Sequence, residues 1–161
     1  MGYVYVSDNY NHRIQKFTFE GKFMGWIGKC TAGPNCDLNY DGAKDFGCNA
    51  NTCTGLGPGH IVSQFHFSLG IAVDSSGNIY VADSVNNRIQ KFSSNGSFIA
   101  TWGSQCNLSN GTGCIDPDGP TGPLSLGDGQ FSSIGDVAID SLDRVYVSDS
   151  GNNRIEVFAP K

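Results

Sequence analysis

Short apolar runs separated by polar turns recur along the chain, and this pattern predicts β-strands rather than helices. The clearest example is the stretch 70–102, in which apolar and alternating segments stand between turns rich in Ser, Asn and Gly. Four strands are predicted there, at 70–74, 79–81, 88–92 and 97–102, with turns at 75–78, 86–87 and 95–96. The stretch is therefore expected to form one small antiparallel sheet.

Parts of this stretch occur three times. A Tyr-Val-Ser-Asp or Tyr-Val-Ala-Asp segment occupies residues 5–8, 80–83 and 146–149, and each copy is followed by an Asn-containing turn, an Arg, an Ile and a Phe. The recurring residues keep the same spacing and are Asp8, Arg13 and Phe17; Asp83, Arg88 and Phe92; and Asp149, Arg154 and Phe158. The chain thus contains three copies of one supersecondary unit.

A single four-stranded sheet of this length cannot bury both of its faces, so the copies are expected to stack face to face as propeller blades. The segments Gly-Ile-Ala-Val-Asp, Asn-Ile-Tyr-Val-Ala-Asp and Asn-Asn-Arg-Ile-Gln-Lys-Phe within 70–92 resemble the NHL repeat. The resemblance extends over 3–28 and 127–158, and residues 127–131 are similar to the start of a blade in that family. It implies an all-β fold made of blades of four antiparallel strands.

One partial propeller is predicted over residues 1–161, with blade units at 3–28, 65–103 and 131–158. Family repeats are a little over forty residues long, whereas Tyr5, Tyr80 and Tyr146 are 75 and 66 residues apart by subtraction. The excess falls in Cys-bearing insertions at 29–64 and 104–130. The first unit lacks its opening strand and the third its closing strand, which leaves ten strands, or about two and a half blades. A ring or stack completed by other copies or by missing sequence is therefore expected.

The repeated charged and aromatic residues are interpreted as architecture. The fixed offset in Asp8–Arg13, Asp83–Arg88 and Asp149–Arg154 favours a structural ion pair or turn hydrogen bond between neighbouring blades over a catalytic pair. The aromatic residues expected to pack between blades, with the two tryptophans in register, are Tyr5, Tyr80, Tyr146, Trp26 and Trp102.

An acidic segment in the first insertion resembles the start of a calcium loop. Oxygen-bearing residues alternate along it, and Gly42 permits a sharp bend. The expected ligands are the side chains of Asp37, Asn39, Asp41 and Asp45 and the carbonyl of Ala43. The bidentate Glu of an EF-hand would fall on Cys48, so the segment is more similar to the shorter acidic loops of extracellular calcium modules. An Asx-rich turn held by local hydrogen bonds is the alternative.

Six cysteines lie in stretches rich in Gly and Asn and outside the predicted strands. Six cysteines allow fifteen pairings, and those favoured by nearness in sequence are Cys30–Cys36, Cys48–Cys53 and Cys106–Cys114. Because no Cys-x-x-Cys pair occurs, disulfides are favoured over a zinc site. Small covalent rings restrict the unfolded chain where no core is available to order the loops.

Loop disulfides indicate an extracellular or cell-surface protein, and possible N-glycosylation sites agree with that prediction. The three sequons begin at Asn95, Asn107 and Asn110. The first residues show no basic stretch followed by an apolar segment, so no signal peptide is expected within the chain. No window approaches the roughly 20 apolar residues of a membrane span.

Charge and motif content argue against nucleic-acid binding and catalysis. The net charge is −5, and the ten Lys and Arg residues are scattered, whereas phosphate binding needs them clustered. Three histidines that do not recur in register are interpreted as incidental, namely His12, His60 and His66. The strands expected to line the central channel are apolar, offering Ala72, Val73, Ala138 and Ile139. No nucleophile motif such as Gly-x-Ser-x-Gly occurs.

The sequence therefore predicts a non-catalytic extracellular propeller module whose disulfide-linked, calcium-ordered loops bind a protein, a glycan or other copies of the chain. Two alternatives remain open. Open blade ends could pair head to tail into a filament or surface layer. The chain could also be a fragment of a propeller enzyme, of lyase or hydrolase type, whose catalytic residues lie in missing blades. No organic cofactor, nucleic-acid partner or membrane span is expected.

Overall fold

The computed structural model describes residues 2–29, 36–37, 42–43, 58–60, 62–115 and 127–159. Within these residues the chain is β-structure apart from two short 3-10 turns and loops, with three antiparallel sheets of three or four strands and one small hairpin. None of the described segments forms a helix of the length and apolar character that a membrane span requires. The predicted all-β architecture of antiparallel propeller blades is confirmed.

Consecutive strands are neighbours in every sheet. Blade 1 consists of β1 (Tyr3–Asp8), β2 (Arg13–Thr18) and β3 (Phe23–Gly28). A hairpin in the first insertion consists of β4 (Cys36–Asp37) and β5 (Gly42–Ala43). Blade 2 consists of β6 (Ser68–Val73), β7 (Ile79–Asp83), β8 (Arg88–Phe92) and β9 (Phe98–Trp102). Blade 3 consists of β10 (Ile134–Ile139), β11 (Val145–Asp149) and β12 (Arg154–Phe158).

Within the described residues, blade 2 is the one blade with four strands. In the part of the chain that the structure describes, blade 1 has no equivalent of the innermost strand β6, and blade 3 has no equivalent of the outermost strand β9. The ten blade strands agree with the number predicted from the repeat.

Strand β7 shows how the blades stack, because both of its faces are buried. Ile79 and Val81 pack against blade 1, whereas Tyr80 and Ala82 pack against blade 3, since successive side chains of a strand leave it on opposite faces. We call the face equivalent to Ile79 and Val81 the front face of a blade, and the opposite face its back face. The back face of each blade thus meets the front face of the next.

Each contact between blades, here called a seam, has its own hydrophobic core. The buried residues of the first seam are Ile14, Trp26, Ile27, Phe65, Ile79, Val81 and Phe92. Those of the second are Tyr80, Ala82, Ile89, Phe131, Ile134, Val137, Val145 and Val147. Because the blades are thin, burial at the seams accounts for the apolar side chains on both faces of a strand.

The innermost strands β6 and β10 approach closely at Gly70. A Cβ atom at this position would lie 2.6 Å from the Val137 nitrogen and 2.8 Å from the Asp136 Cα atom, both of them backbone atoms of the next blade. Only a residue without a side chain allows this approach. Gly70 therefore fixes how tightly blades 2 and 3 pack near the axis.

Two sequence-based interpretations of this region need correction. Of the four residues expected to line a channel, Ala72 and Ile139 pack against the core of the second seam, whereas Val73 and Ala138 are exposed. Trp26 and Trp102 are also not equivalent, because Trp26 pairs across the sheet with Gln15, whereas Trp102 pairs with Ile89. A shift of one residue in a strand exchanges its faces, so the position of Trp102 is filled in blade 1 by Ile27. Trp26 is nevertheless buried and belongs to the same cluster of buried residues as Ile14 and Ile27.

Candidate functional site

Each repeated Asp–Arg pair lies at the turn between two strands of one blade. Asp83 ends β7 and Arg88 begins β8, where the two residues are opposite each other, and Arg88 Nε lies 2.7 Å from Asp83 Oδ2. The corresponding distances are 2.7 Å for Asp8–Arg13 and 2.8 Å for Asp149–Arg154. The prediction of a structural pair agrees with this geometry, but the expectation that it bridges neighbouring blades is wrong, since both partners belong to the same sheet.

The Asp–Arg pair of blade 2 anchors the chain segment that leads into the blade. Arg88 Nη2 donates to the Gln64 carbonyl at 3.0 Å, and Nη1 donates to the His60 carbonyl at 2.8 Å. Asp83 Oδ1 accepts the His66 N–H at 2.7 Å. The planar guanidinium can serve several acceptors at once, which a lysine at the same place could not do.

Blade 3 repeats this arrangement. Arg154 Nη2 donates to the Gln130 carbonyl at 2.9 Å, and Asp149 Oδ1 accepts the Ser132 N–H at 2.6 Å. An Asn joins each pair, as Asn152 Nδ2 donates to Asp149 Oδ2 at 2.8 Å. The clusters therefore provide hydrogen-bond partners for backbone groups of the loops that lead into the blades. Their buried charges thus have a structural role.

The Asp83 carboxylate is fully buried. Burial raises its pKa, and the His66 N–H, the Asn86 amide and the Arg88 guanidinium act in the opposite direction. Because its oxygens accept these donors and are closed to solvent, Asp83 is not placed to act on a substrate.

In blades 1 and 2 the strand that begins with the cluster arginine carries a further member of the cluster, a glutamine that was not predicted from the sequence. Gln90 Nε2 donates to Asp83 Oδ2 at 3.1 Å and to the Gln64 carbonyl at 2.6 Å, and its Oε1 accepts the Ser63 N–H at 3.0 Å. Gln15 makes the equivalent bond to Asp8 at 3.0 Å. The signal in the sequence was the residue two places after each Arg, which is Gln in two copies and Glu156 in the third.

At the opposite end of the blades, a tyrosine hydroxyl is held by an aspartate of the preceding turn. The Tyr80 Oη to Asp74 Oδ2 and Tyr146 Oη to Asp140 Oδ2 distances are both 3.1 Å. Although desolvation acts to raise it, hydrogen bonds from the Arg144 N–H and guanidinium lower the pKa of Asp140 to about 2. Tyr80 is thus buried in the second seam as predicted, whereas Tyr146 lies on the back face of blade 3, which no blade covers among the described residues. The hydroxyl groups of both tyrosines also hold a hairpin turn.

Two equivalent hydrogen bonds cross the seams. His12 Nδ1 accepts the Phe67 N–H at 3.2 Å in the first seam, and Asn87 Oδ1 accepts the Ser133 N–H at 2.7 Å in the second. His12 and Asn87 occupy the same place in the repeat, immediately before the Arg of the pair, and both are left-handed, with φ of 52° and 50°. His12 is therefore a seam residue, and its interpretation as incidental is wrong.

The second insertion contains a disulfide between Cys106 and Cys114, with an S–S distance of 2.03 Å, which is one of the pairs favoured by nearness in sequence. Cys106 is buried, and its carbonyl accepts the Asn152 amide at 2.8 Å. The ring therefore rests on the turn of blade 3 that also holds Asp149.

The possible glycosylation sites lie in turns. The side-chain oxygens of Asn107 and Asn110 accept N–H groups two residues ahead, from Ser109 and Thr112, both at 3.0 Å. Asn95 is exposed in the turn between β8 and β9. All three sequons thus lie in turns. Their glycosylation stays a prediction.

The predicted calcium loop and two of the predicted disulfides lie largely outside the described residues. The strand pairing of β4 and β5 sets Asp37 opposite Gly42 and Cys36 opposite Ala43. Asn39, Asp41, Asp45 and the cysteines at 30, 48 and 53 are not among the described residues. Within the part of the chain that the structure describes, no group of three or more His, Cys, Asp or Glu residues is arranged to hold a metal ion.

The outer faces of the array carry apolar side chains. Val4 and Val6 on the front face of blade 1 are 42% and 40% exposed, and Ile155 and Val157 on the back face of blade 3 are 61% and 53% exposed. Buried equivalents of three of these residues occur in blade 2, namely Ile79, Val81 and Ile89. The two outer faces thus carry the same kind of apolar side chains as the faces that form the seams. No neighbouring blade covers them among the described residues.

Comparison with known proteins identifies the repeat. The family model described as the NHL repeat matches residues 68–92 and 131–158. NHL repeat-containing protein 3 of Mus musculus is 27% identical to this chain over an alignment of 175 residues. The alignment covers 96% of this chain and 44% of that protein. A solved protein of unknown function from Bacteroides thetaiotaomicron shares the fold at 18% identity with a TM-score of 0.52, over 96% of this chain and 32% of that protein.

The chain therefore spans less than half of the length of the curated relative and about a third of that solved protein. The matched segments contain the first three of the four strands of blade 2, β6 to β8, and all three strands of blade 3. The NHL-repeat model thus matches two of the three blades, and the curated relative is itself an NHL repeat-containing protein, so these findings together with the repeated Asp–Arg clusters and the stacked sheets support an NHL-repeat family.

Proposed function

We propose that the chain is a non-catalytic assembly and binding module whose outer blade faces pack against further blades of the same kind. One comparison carries the proposal. Ile89 on the back face of blade 2 is fully buried, whereas Ile155, its equivalent in blade 3, is 61% exposed. The same side chain at the same place in the repeat is covered in one blade and open in the other, so a covering partner is expected.

The front face of blade 1 supports the same proposal. Val6 is 40% exposed, whereas its equivalents Val81 and Val147 are fully buried. The edges of β1 and β12 also have no neighbouring strand among the described residues. An apolar face beside an unpaired strand edge favours association through both side chains and backbone.

The two outer faces are complementary in type, because a front face and a back face form every seam of this chain. Among the described residues, no blade covers the front face of blade 1 or the back face of blade 3. Head-to-tail association of copies is heterologous, so it either closes into a ring or continues as an open stack. The open stack, a filament or surface layer, is the second candidate function, and the same observation supports it.

Light scattering on the 161-residue chain tests this proposal, since the monomer mass is 17.1 kDa. We expect association that increases with concentration, with a discrete mass of about two or three chains for a ring and continued growth for a stack. Ile155→Asp and Val6→Asp should each reduce association, because both place a charge on an apolar face. Leu142→Asp is the control, since Leu142 is 66% exposed but lies in the turn between β10 and β11. A particle of monomer mass at every concentration contradicts association of copies.

We also propose an extracellular or cell-surface location, with the insertions presenting a protein- or glycan-binding surface. The Cys106–Cys114 disulfide supports this part of the proposal, because such bonds persist in oxidising compartments. Mass spectrometry of the protein from a secreting eukaryotic host tests it through the number of free thiols and glycans. Six reactive thiols in the secreted protein would contradict the predicted disulfides.

Calcium remains a proposal for the first insertion. The β4–β5 pairing supports it to the extent that Asp37 and Ala43, two expected ligands, belong to neighbouring strands of one hairpin. Calorimetric titration with Ca²⁺ should show binding that Asp41→Asn abolishes. Asp143→Asn, a substitution of another turn aspartate, should leave it unchanged. The absence of a binding signal with the unsubstituted chain would favour the Asx-rich turn.

A further inference from the structure

We propose that His12 makes the seam between blades 1 and 2 sensitive to pH, whereas the seam between blades 2 and 3 lacks this sensitivity. The proposal is independent of the assembly proposed above, because both seams lie within one chain. It starts from the hydrogen bond in which His12 Nδ1 accepts the N–H of Phe67 at 3.2 Å. His12 belongs to blade 1 and Phe67 to the segment that leads into β6, so the bond crosses the seam.

The second seam provides an internal comparison. Asn87 Oδ1 accepts the N–H of Ser133 at 2.7 Å, and Ser133 stands directly before β10 as Phe67 stands directly before β6. Phe67 and Ser133 are both left-handed, with φ of 56° and 54°. The repeat thus contains equivalent seam bonds from a backbone N–H in two chemical versions, with an imidazole nitrogen as the acceptor in one and an amide oxygen in the other.

The two acceptors respond differently to protons. An amide oxygen accepts a hydrogen bond at any physiological pH. An imidazole nitrogen accepts only while it is unprotonated, and histidine changes charge in the neutral to mildly acidic range. Protonation of His12 would therefore convert the acceptor into a donor that faces the Phe67 N–H. It would leave that N–H without its partner and set two donors against each other.

The surroundings of His12 favour the neutral ring. Its ring centroid lies 5.5 Å from that of His66 and 5.3 Å from that of Phe67, both in edge-to-face geometry. Burial, followed by the His66 imidazole, lowers the pKa of His12, and Asp83 acts in the opposite direction. Asp83 is already paired with Arg88, and on the His12 side of the seam Asp8 is paired with Arg13. These carboxylates are thus compensated by their own arginines.

The direction of the pH effect follows from linkage. The folded-state pKa of His12 lies below its ordinary value of 6.5, so folding favours the neutral ring. The stabilising contribution is complete above pH 6.5 and is lost as the pH falls from there through the folded-state pKa. Mild acid should consequently loosen the first seam before the second, because Asn87 does not titrate.

Amide hydrogen exchange on the full chain, followed by NMR at about pH 7.5 and about pH 5, tests the proposal in the window where histidine titrates. After correction for intrinsic exchange rates, protection of the Phe67 amide should fall about tenfold in acid, as expected for loss of one hydrogen bond. Protection of the Ser133 amide should stay constant. In His12→Asn the Phe67 amide should remain protected at both pH values, as the Ser133 amide does.

The reverse substitution gives an independent test. Asn87→His should make protection of the Ser133 amide depend on pH without changing the behaviour of the Phe67 amide. If His12→Asn retains the acid-induced loss at Phe67, or if both amides lose protection equally in the unsubstituted chain, His12 is not the switch. A direct titration of the His12 ring by NMR decides the matter if a variant fails to fold, since a folded-state pKa at or above 6.5 overturns the proposal.

Discussion

Glu156 of blade 3 occupies the position that Gln90 occupies in blade 2. Glu156 lies opposite Val147, and Gln90 lies opposite Val81, in each case two residues before the aspartate of the cluster. Gln90 donates a hydrogen bond to Asp83 at 3.1 Å, but an ionised Glu156 cannot donate to Asp149. Instead, Glu156 Oε2 accepts the Gly129 N–H at 2.8 Å, and its other oxygen contacts Arg154. Burial raises the pKa of Glu156, although the Gly129 N–H and Arg154 act to lower it.

Glu156→Gln should therefore stabilise the protein by about 1 kcal/mol at neutral pH, because an amide can donate to Asp149 and carries no charge into a half-buried site. The raised pKa means that the carboxylate is unfavourable when ionised, so the gain should disappear as the pH falls through the folded-state pKa to its ordinary value of 4.5. Thermal unfolding at several pH values measures both effects. The reverse change, Gln90→Glu, should destabilise blade 2, and a stabilising effect of that change would contradict the argument.

The arginine of the buried cluster should resist replacement by lysine. Arg88→Lys keeps the charge but loses the donors to the His60 and Gln64 carbonyls, and we expect a loss of about 2 kcal/mol or more in the free energy of unfolding. Arg144→Lys is a matched control, since Arg144 also pairs with an aspartate at 2.7 Å but has a side chain 47% exposed. Chemical denaturation should separate the two variants. Equal losses would mean that the loop carbonyls add nothing.

The close approach of the inner strands makes Gly70 sensitive to the smallest side chain. Gly70→Ala would place a methyl group against backbone atoms of Asp136 and Val137 and should cost about 1 to 3 kcal/mol. Gly135→Ala is the comparison, because a Cβ atom there would meet only the hydroxyls of Ser148 and Ser150, at 2.8 and 2.6 Å. Those side chains can rotate away, so the thermal midpoint should fall less. A larger loss for Gly135→Ala would contradict this account of the seam.

Removal of the disulfide should lower stability through the unfolded state. The bond closes a ring with a sequence separation of 8, for which the chain-entropy argument gives roughly 2 to 3 kcal/mol. The double variant Cys106→Ala, Cys114→Ala avoids a new free thiol and should unfold at a lower denaturant concentration. Native exchange protection of the Val81 amide in β7 should be less affected than that of the Gly127 amide, which donates to the Ile115 carbonyl beside the ring.

The fold could be predicted from the sequence because the same residues fill the same positions three times. Repetition of the Tyr-Val segment and of the Asp–Arg spacing defined the strands, the turns between them and the number of blade strands. The register of Trp26 was predicted wrongly although the sequence held the signal. Trp26 follows Phe17 by nine residues, whereas Trp102 follows Phe92 by ten, by subtraction.

The details of the clusters could not be predicted, because a repeat shows which residues act together but not which atoms they contact. The offset of Asp83 and Arg88 is equally consistent with a bond inside one sheet or between two sheets. The role of His12 required knowledge that its position accepts a hydrogen bond from the next blade. For the calcium ligands of the first insertion, only the pairing of the strands that contain Asp37 and Ala43 is described, and the ligand set stays a prediction.

The pairing of unlike faces at every seam has a consequence for how such an array can change in length. Because each blade presents a front face to its predecessor and a back face to its successor, a duplicated blade 2 would find a fitting surface on both sides. Loss of a whole blade would likewise join two surfaces that already match in kind. Insertion or deletion of complete units is therefore tolerated by the seam chemistry, whereas a change of part of a unit would break the alternation on which burial depends.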